Sequence, residues 1–321
     1  MERHALLGII CIIIAVLLLI AAPLLAFTPP GNRLLAGQPP FPTPTPIPPT
    51  PTPQPVLTPR GTPPTVSASE YYLIDMNTHN VLADKNAVES RPMASTTKIM
   101  TALIAIQSGD LTLPVTVHQD ALERIAEGGS SANLRLGDTI PLGDMLYGMM
   151  LPSGDDAAWA IADALAGNEQ NFVQRMNLFA YHLRLFQTHY ASPDGLSLTS
   201  EEDAEHYTSA NDLARLTTYA LSIPFFAKIV HTDHYAIPAT ATHAAYSWTN
   251  TNTLLVSYPG MLGVKTGFTY AAGYCLVFAA QRNGHELLGV VMNSSSEDLR
   301  NKDAVALLNW GFALPLLPPK P

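Results

Sequence analysis

The chain has 321 residues, of which 17 are Lys or Arg, 26 are Asp or Glu, and 47% are hydrophobic. Beyond residue 65, 14 Lys and Arg face 25 Asp and Glu, the wrong sign for a surface that neutralises phosphate backbones, so no nucleic-acid partner is expected. The two cysteines, Cys11 and Cys275, lie far apart in an apolar N-terminal run and a strand-like run; this excludes a disulfide framework and leaves no Cys/His cluster for zinc.

Ala5 to Phe27 is a 23-residue stretch without a charge. About 20 apolar residues span a bilayer core, whereas the apolar part of a cleaved signal runs about 7–15. Residues 1–27 are therefore expected to form an uncleaved membrane anchor, with cleavage near Ala26 as the alternative. Arg3 before the segment favours the N-terminus inside and the bulk of the chain outside the membrane. Residues 28–65 hold 15 of the 28 prolines. Such a tract favours polyproline II and reads as a linker able to extend about 100 Å. Residues 66–321 are long enough to bury a core of their own.

Glu70–Asp75 and Val81–Lys85 are strand candidates joined by a polar turn. Ser95–Ser108 reads as a helix apolar on most sides, hence central and buried. Helices follow at Leu142–Leu151, Asp155–Ala166 and Asn171–Leu185, with a loop at Gly128–Ser131 and a turn at Ser192–Gly195. Asn211 is a candidate cap for a helix over Asp212–Leu221. Strands return at Leu262–Thr266, Tyr274–Gln281 and Leu287–Met292, the last two joined through Asn283-Gly284, a strong hairpin signal. Glu297–Phe312 closes the chain as a helix. This order predicts an α+β fold: an antiparallel sheet from N- and C-terminal strands flanked by helices, with a mainly helical lobe inserted between them.

Three short motifs carry candidate chemistry. Ser95-Thr96-Thr97-Lys98 places a hydroxyl and an amine three residues apart, on one helical face. Serine is a weak nucleophile until a base takes its proton, and a lysine serves if burial or neighbouring cations depress its pKa. The helix start adds free N–H groups where negative charge develops. Alone, this spacing also fits a capping serine and a solvated lysine. Ser153-Gly154-Asp155 breaks two helical runs, so Ser153 can either relay a proton or cap the next helix. Lys265-Thr266-Gly267, on a strand, pairs a cation and a hydroxyl suited to a substrate carboxylate with a glycine that lets a peptide approach closely. His231 and His234 lack a third ligand at metal spacing and read as surface or loop residues.

Together and in this order, the motifs form the serine-lysine acyl-transfer signature. The stretches ASTTKIMTALIA, DMLYGMMLPSGDDAA, SPDGL, HYTSANDLARL and GVKTGFTYAAGYCLVFAA resemble the low-molecular-weight D-alanyl-D-alanine carboxypeptidases, over about residues 70–314. The resemblance implies a β-lactamase/transpeptidase-like fold and an enzyme that removes the terminal D-alanine from peptidoglycan stem pentapeptides. It gives Ser95 as the nucleophile, Lys98 as its base and Ser153 as a proton relay. Lys265 and Thr266 would hold the substrate carboxylate, and the N–H groups of Ser95 and Phe268 would form the oxyanion hole. Stem peptides would be the substrate and β-lactams covalent inhibitors, with no metal or organic cofactor, on the outer face of the cell membrane. Two departures stand out. Asp155 occupies a position usually held by Asn, and the sequence ends at Pro321, soon after the closing helix, where many of the family carry a further β-domain and a C-terminal membrane helix. The alternatives are a D,D-endopeptidase acting on cross-links and a non-catalytic wall-binding or β-lactam-sensing protein. A β-lactamase would need a deacylating glutamate, for which Glu169 is the nearby candidate.

Overall fold

The structure, a computed structural model, describes residues 55–318. The expected membrane anchor and most of the expected linker lie outside the described residues. Among those described, no single helix is long and apolar enough to cross a membrane.

Five antiparallel strands form the central sheet: β1 (Glu70–Asp75), β2 (Val81–Lys85), β3 (Met261–Thr269), β4 (Gly273–Arg282) and β5 (His285–Ser294). They lie in the order β3-β4-β5-β1-β2, so strands from the two ends of the chain meet where β5 pairs with β1. The β4–β5 hairpin turns through Asn283 (φ 52°) and Gly284 (φ 83°), with Arg282 opposite His285. Two successive positive φ values are what a two-residue turn matched to the strand twist requires, and Asn-Gly supplies them at low cost.

The period-two alternation of the strands sorts their side chains onto two faces. Leu73, Leu276, Phe278, Leu287 and Val291 pack with Ala304, Leu307 and Leu308 of the closing helix, Glu297–Phe312. Ile74, Val277, Ala279, Leu288, Val290 and Met292 face the larger core, which includes the helical lobe. At the middle of that core lies helix α1 (Lys98–Gln107), whose residues Lys98 to Ala105 are all buried. Around it run α2 (Gln119–Ala126), α3 (Leu142–Met150), α4 (Asp155–Ala166), α5 (Glu169–His182) and α6 (Ala210–Leu221). The expected α+β arrangement with an inserted helical lobe is thus the observed one.

Several local expectations are corrected. The first turn expected of α1 is a 3-10 turn, Ala94–Thr97, and the α-helix begins at Lys98. Helix α6 starts two residues earlier than expected and is capped by Ser209, whose Oγ accepts from Asp212 N–H at 3.1 Å, not by Asn211. The cap of α4 is Gly154, with no side-chain cap bond from Ser153. The packed unit also reaches back past residue 66. Val56–Leu57, an apolar pair among prolines, forms an antiparallel bridge with Leu316–Leu317, and Leu57 is buried. His231, just after a short helix, and His234, which opens the strand His234–Ile237, are both exposed, as expected of surface or loop residues.

Candidate active site

Strand β3 is an edge strand, and its free side faces the turn that precedes α1. A Cβ on Gly267 would come within 3.1 Å of Ser95 N and 3.2 Å of Ala94 Cβ and Thr96 N. Glycine there lets the strand and the turn approach backbone to backbone. Ala94, Thr96 and Thr97 are buried, which leaves Ser95 as the partly accessible residue of the turn.

Lys98 is the first residue of α1, and its side chain is fully buried. Its Nζ donates to Ser95 Oγ at 2.9 Å, to the backbone oxygen of Asp194 at 2.8 Å, and to Asp155 Oδ1. Three donors thus meet three acceptors, the full capacity of an ammonium group. A lysine buried without such partners would carry a large desolvation penalty. Asp155, at the start of α4, spends its other oxygen on Ser130 N–H at 2.7 Å and gives its own N–H to Ser130 O at 2.7 Å. Burial pushes its carboxyl up to about 6, against the pull of the Lys98 charge. The neighbouring Asp156 accepts from Ser131 Oγ and from the N–H groups of Ala132 and Leu134. Tandem aspartates at the start of one helix therefore pin the Ser130–Leu134 stretch beside that helix, and one of them also holds Lys98.

Ser153 precedes that helix in a left-handed conformation, φ 67°, and is 6% exposed. Such a conformation is uncommon for a non-glycine residue and persists only where the surroundings impose it. The loop that holds it is tied to β3 through Thr251: its N–H donates to Leu151 O at 3.0 Å, and its Oγ lies 2.6 Å from Thr266 Oγ. Lys265 is 1% exposed and donates to Thr266 O at 3.0 Å. Burial holds its pKa well below the ordinary lysine range, and the nearby Lys98 charge adds to this while Asp155 opposes it. A bound carboxylate would favour the charged form of Lys265. Phe268, next to Gly267, is 44% exposed at the open end of the strand. The structure therefore gathers Ser95, Lys98, Asp155 and Gly267 around one point, with Ser153 and Lys265–Thr266 on elements joined to it.

Other parts of the site were not read from the sequence. Asp194, in the Ser192–Gly195 turn, supplies a backbone acceptor to Lys98, while its carboxylate receives Arg124 Nε at 2.8 Å and Trp159 Nε1 at 2.8 Å. Burial alone would raise the Asp194 pKa, but the bond and charge of Arg124, with Lys98, hold it below the usual value. The SPDG sequence signals a turn and belongs to a stretch that carries the resemblance, but nothing local announces a partner 70 residues away in α2. Gly195 (φ +89°) presses on the Ala94–Thr97 turn so closely that a Cβ would lie 2.0 Å from Ala94 O. Gly195→Ala is therefore expected to destabilise the fold by roughly 2–5 kcal/mol, through backbone strain and overpacking together. An unchanged melting temperature would contradict this.

Glu169 lies elsewhere. It lines a cavity of about 520 Å³ with His118, Asp120, Trp159 and Asp163, and neither Ser95, Lys98, Ser153 nor Lys265 borders that cavity.

This geometry has close counterparts. A family model described as D-alanyl-D-alanine carboxypeptidase matches residues 58–296. The D-alanyl-D-alanine carboxypeptidase of Streptomyces sp. (strain K15) is 36% identical over 266 residues, which cover 79% of this chain and 90% of the relative. DacF of Bacillus subtilis (strain 168), of the same description, is 33% identical over 77% of this chain but only 62% of its own length. The crystal structure of the Streptomyces K15 DD-transpeptidase superposes with a TM-score of 0.74 at 37% identity, covering 79% of this chain and all (100%) of the other. A penicillin-binding protein homologue from Mycobacterium tuberculosis gives 0.70 at 29% identity, covering 82% and 97%.

Proposed function

Since the chain belongs to the D-alanyl-D-alanine carboxypeptidase family, we propose that it removes the terminal D-alanine from peptidoglycan stem pentapeptides through an acyl-enzyme on Ser95, and that β-lactams acylate the same oxygen. The observation that carries this reading is Lys98 Nζ at 2.9 Å from Ser95 Oγ, buried and within reach of no bulk water. In the reaction, Lys98 takes the Ser95 proton as Oγ attacks the D-alanyl carbonyl. The carbonyl oxygen gains charge facing the N–H groups of Ser95 and Phe268. The proton taken up by Lys98 passes through the Ser153 hydroxyl to the departing D-alanine nitrogen, so the amide bond breaks as the ester forms. Water then attacks the ester and frees Ser95. Lys265 and Thr266 hold the terminal carboxylate. Upstream residues of the stem have room in a cleft of about 450 Å³ that opens beside Phe268, between the Leu196–Asp203 segment and Tyr270. The test is D-alanine release from a stem pentapeptide by the purified 55–321 fragment. Stoichiometric release of one D-alanine supports the reading, and an unchanged pentapeptide sinks it.

Asp155 sets the pH range of this chemistry. Its charge beside Lys98 favours the ammonium over the free amine that attack on the substrate requires. An Asn in its place can keep its oxygen on Ser130 N–H and turn its NH₂ towards Lys98, where only a free amine accepts. Asp155→Asn is expected to raise acylation at neutral pH by roughly threefold to tenfold and to move the rising limb of the pH–rate profile to lower pH. Because Asp155 itself takes up a proton near pH 6, variant and wild type should converge below that pH. A fall in kcat/KM with the profile unmoved would mean that Asp155 is needed as an acid.

We further propose that residues 1–27 tether the enzyme to the outer face of the cell membrane and that the proline-rich stretch spaces it from the bilayer. The support is the 23-residue uncharged run from Ala5 to Phe27. The full chain is expected to stay in the membrane fraction after carbonate washing, and the 55–321 fragment to remain in the supernatant. A mature protein beginning near Phe27 in the medium would show the segment to be a cleaved signal.

A further inference from the structure

Beneath the turn that carries Ser95 runs a chain of hydrogen bonds with no part in the roles assigned so far. Ala94 has a φ of 49°, uncommon for a residue with a Cβ. Its carbonyl oxygen accepts from Thr97 Oγ1 at 2.7 Å. The same Oγ1 lies 2.7 Å from Nε2 of His206, a residue 109 positions further on and 2% exposed. At the far side of the ring, Nδ1 accepts from Ala191 N–H at 2.9 Å.

The tautomer follows from these contacts. A ring nitrogen that accepts from an amide carries no proton, so the neutral ring holds its proton on Nε2 and donates it to Thr97 Oγ1. Thr97's own proton is already committed to Ala94 O. Every donor in the chain thus meets an acceptor, from Ala191 to Ala94. A second proton on His206 would set Nδ1–H against Ala191 N–H. Burial excludes it: the ring's pKa is pushed down to about 4, with Asp194, His189, Lys98 and Arg124 as the charged or titratable groups around it and the Tyr190 ring edge-on at 6.0 Å.

The consequence lies on the other side of one peptide plane. Ala94 C=O and Ser95 N–H belong to the same rigid unit and point in opposite directions. An oxygen held towards Thr97 and His206 aims Ser95 N–H the other way, to the side where Gly267 approaches. We propose that His206 is a positioning residue which, acting through Thr97, orients the Ser95 backbone N–H and Oγ for acyl transfer. This rests on Ser95 being the nucleophile.

The experiment is the concentration dependence of acylation by benzylpenicillin, which separates the limiting rate constant from half-saturation. It is run on wild type, Thr97→Val, Thr97→Ser, His206→Gln and the Thr97→Val/His206→Gln double variant, each checked as folded by thermal melting. Thr97→Val keeps the side-chain shape and loses the hydroxyl, so it serves even where a change at His206 prevents folding. The limiting rate constant is expected to fall about tenfold to a hundredfold in Thr97→Val, with half-saturation within about threefold, as for a misaimed oxyanion donor. Thr97→Ser should stay within about threefold of wild type, and the double variant should be no slower than the slower single one, because both changes cut one chain. A wild-type rate constant in Thr97→Val overturns the proposal. So does a Thr97→Ser variant as slow as Thr97→Val, or multiplicative losses in the double variant. Wild type that is not acylated at Ser95 overturns the nucleophile assignment itself, and this proposal with it.

Discussion

Ser95→Ala is expected to abolish labelling by a fluorescent penicillin and to lower D-alanine release by roughly 10⁴-fold or more, as loss of a covalent nucleophile does in serine enzymes. The loss should not come from unfolding. Ser95 Oγ receives a single bond from Lys98, which keeps Asp155 and the Asp194 backbone oxygen as partners in the variant. The melting temperature should therefore stay near that of wild type while activity disappears. Labelling that persists at the wild-type level would place the nucleophile elsewhere.

Lys98→Arg is expected to retain charge and lose function. An arginine cannot give up its proton in a protein, so it cannot accept one from Ser95. Removal of a positioned general base costs about 10²–10⁴-fold in rate, and the acylation rate should fall into that range. The planar, longer side chain must also fit where an ammonium makes three bonds inside a fully buried site, which adds to the loss. Substantial acylation by this variant at any pH up to 9 would point to another base.

How much of this was legible in the sequence depends on how local each signal is. Asp155–Ala166 and Glu297–Phe312 fall where expected because their periodic faces and flanking turn residues sit within a few positions of each other. Asn283-Gly284 is equally local. The pairing of β5 with β1 followed only from the order of elements and the need to share one sheet. Helix α2, with eight residues, and the small hairpin of His234–Ile237 with Tyr246–Thr249 went unread. They are short, and tertiary contacts hold them in place. The same holds in the site. Ser95, Lys98, Ser153 and Lys265 announce themselves through spacing within motifs. Asp194, Arg124, Thr251 and His206 do not, because their partners lie far away along the chain. Sequence reasoning marks Asp155 as a residue standing where Asn is usual. It could not see Ser130, whose N–H gives the second carboxylate oxygen a reason to be there.

The central claim, that Ser95 is the residue acylated, is tested most directly by mass. The protein is incubated with benzylpenicillin, its intact mass is measured, and the digested peptides are mapped. One penicilloyl adduct per chain, on the peptide that contains Ser95 and absent from the Ser95→Ala variant, is the predicted result. An adduct on a peptide without Ser95, or none on folded wild type, would contradict it.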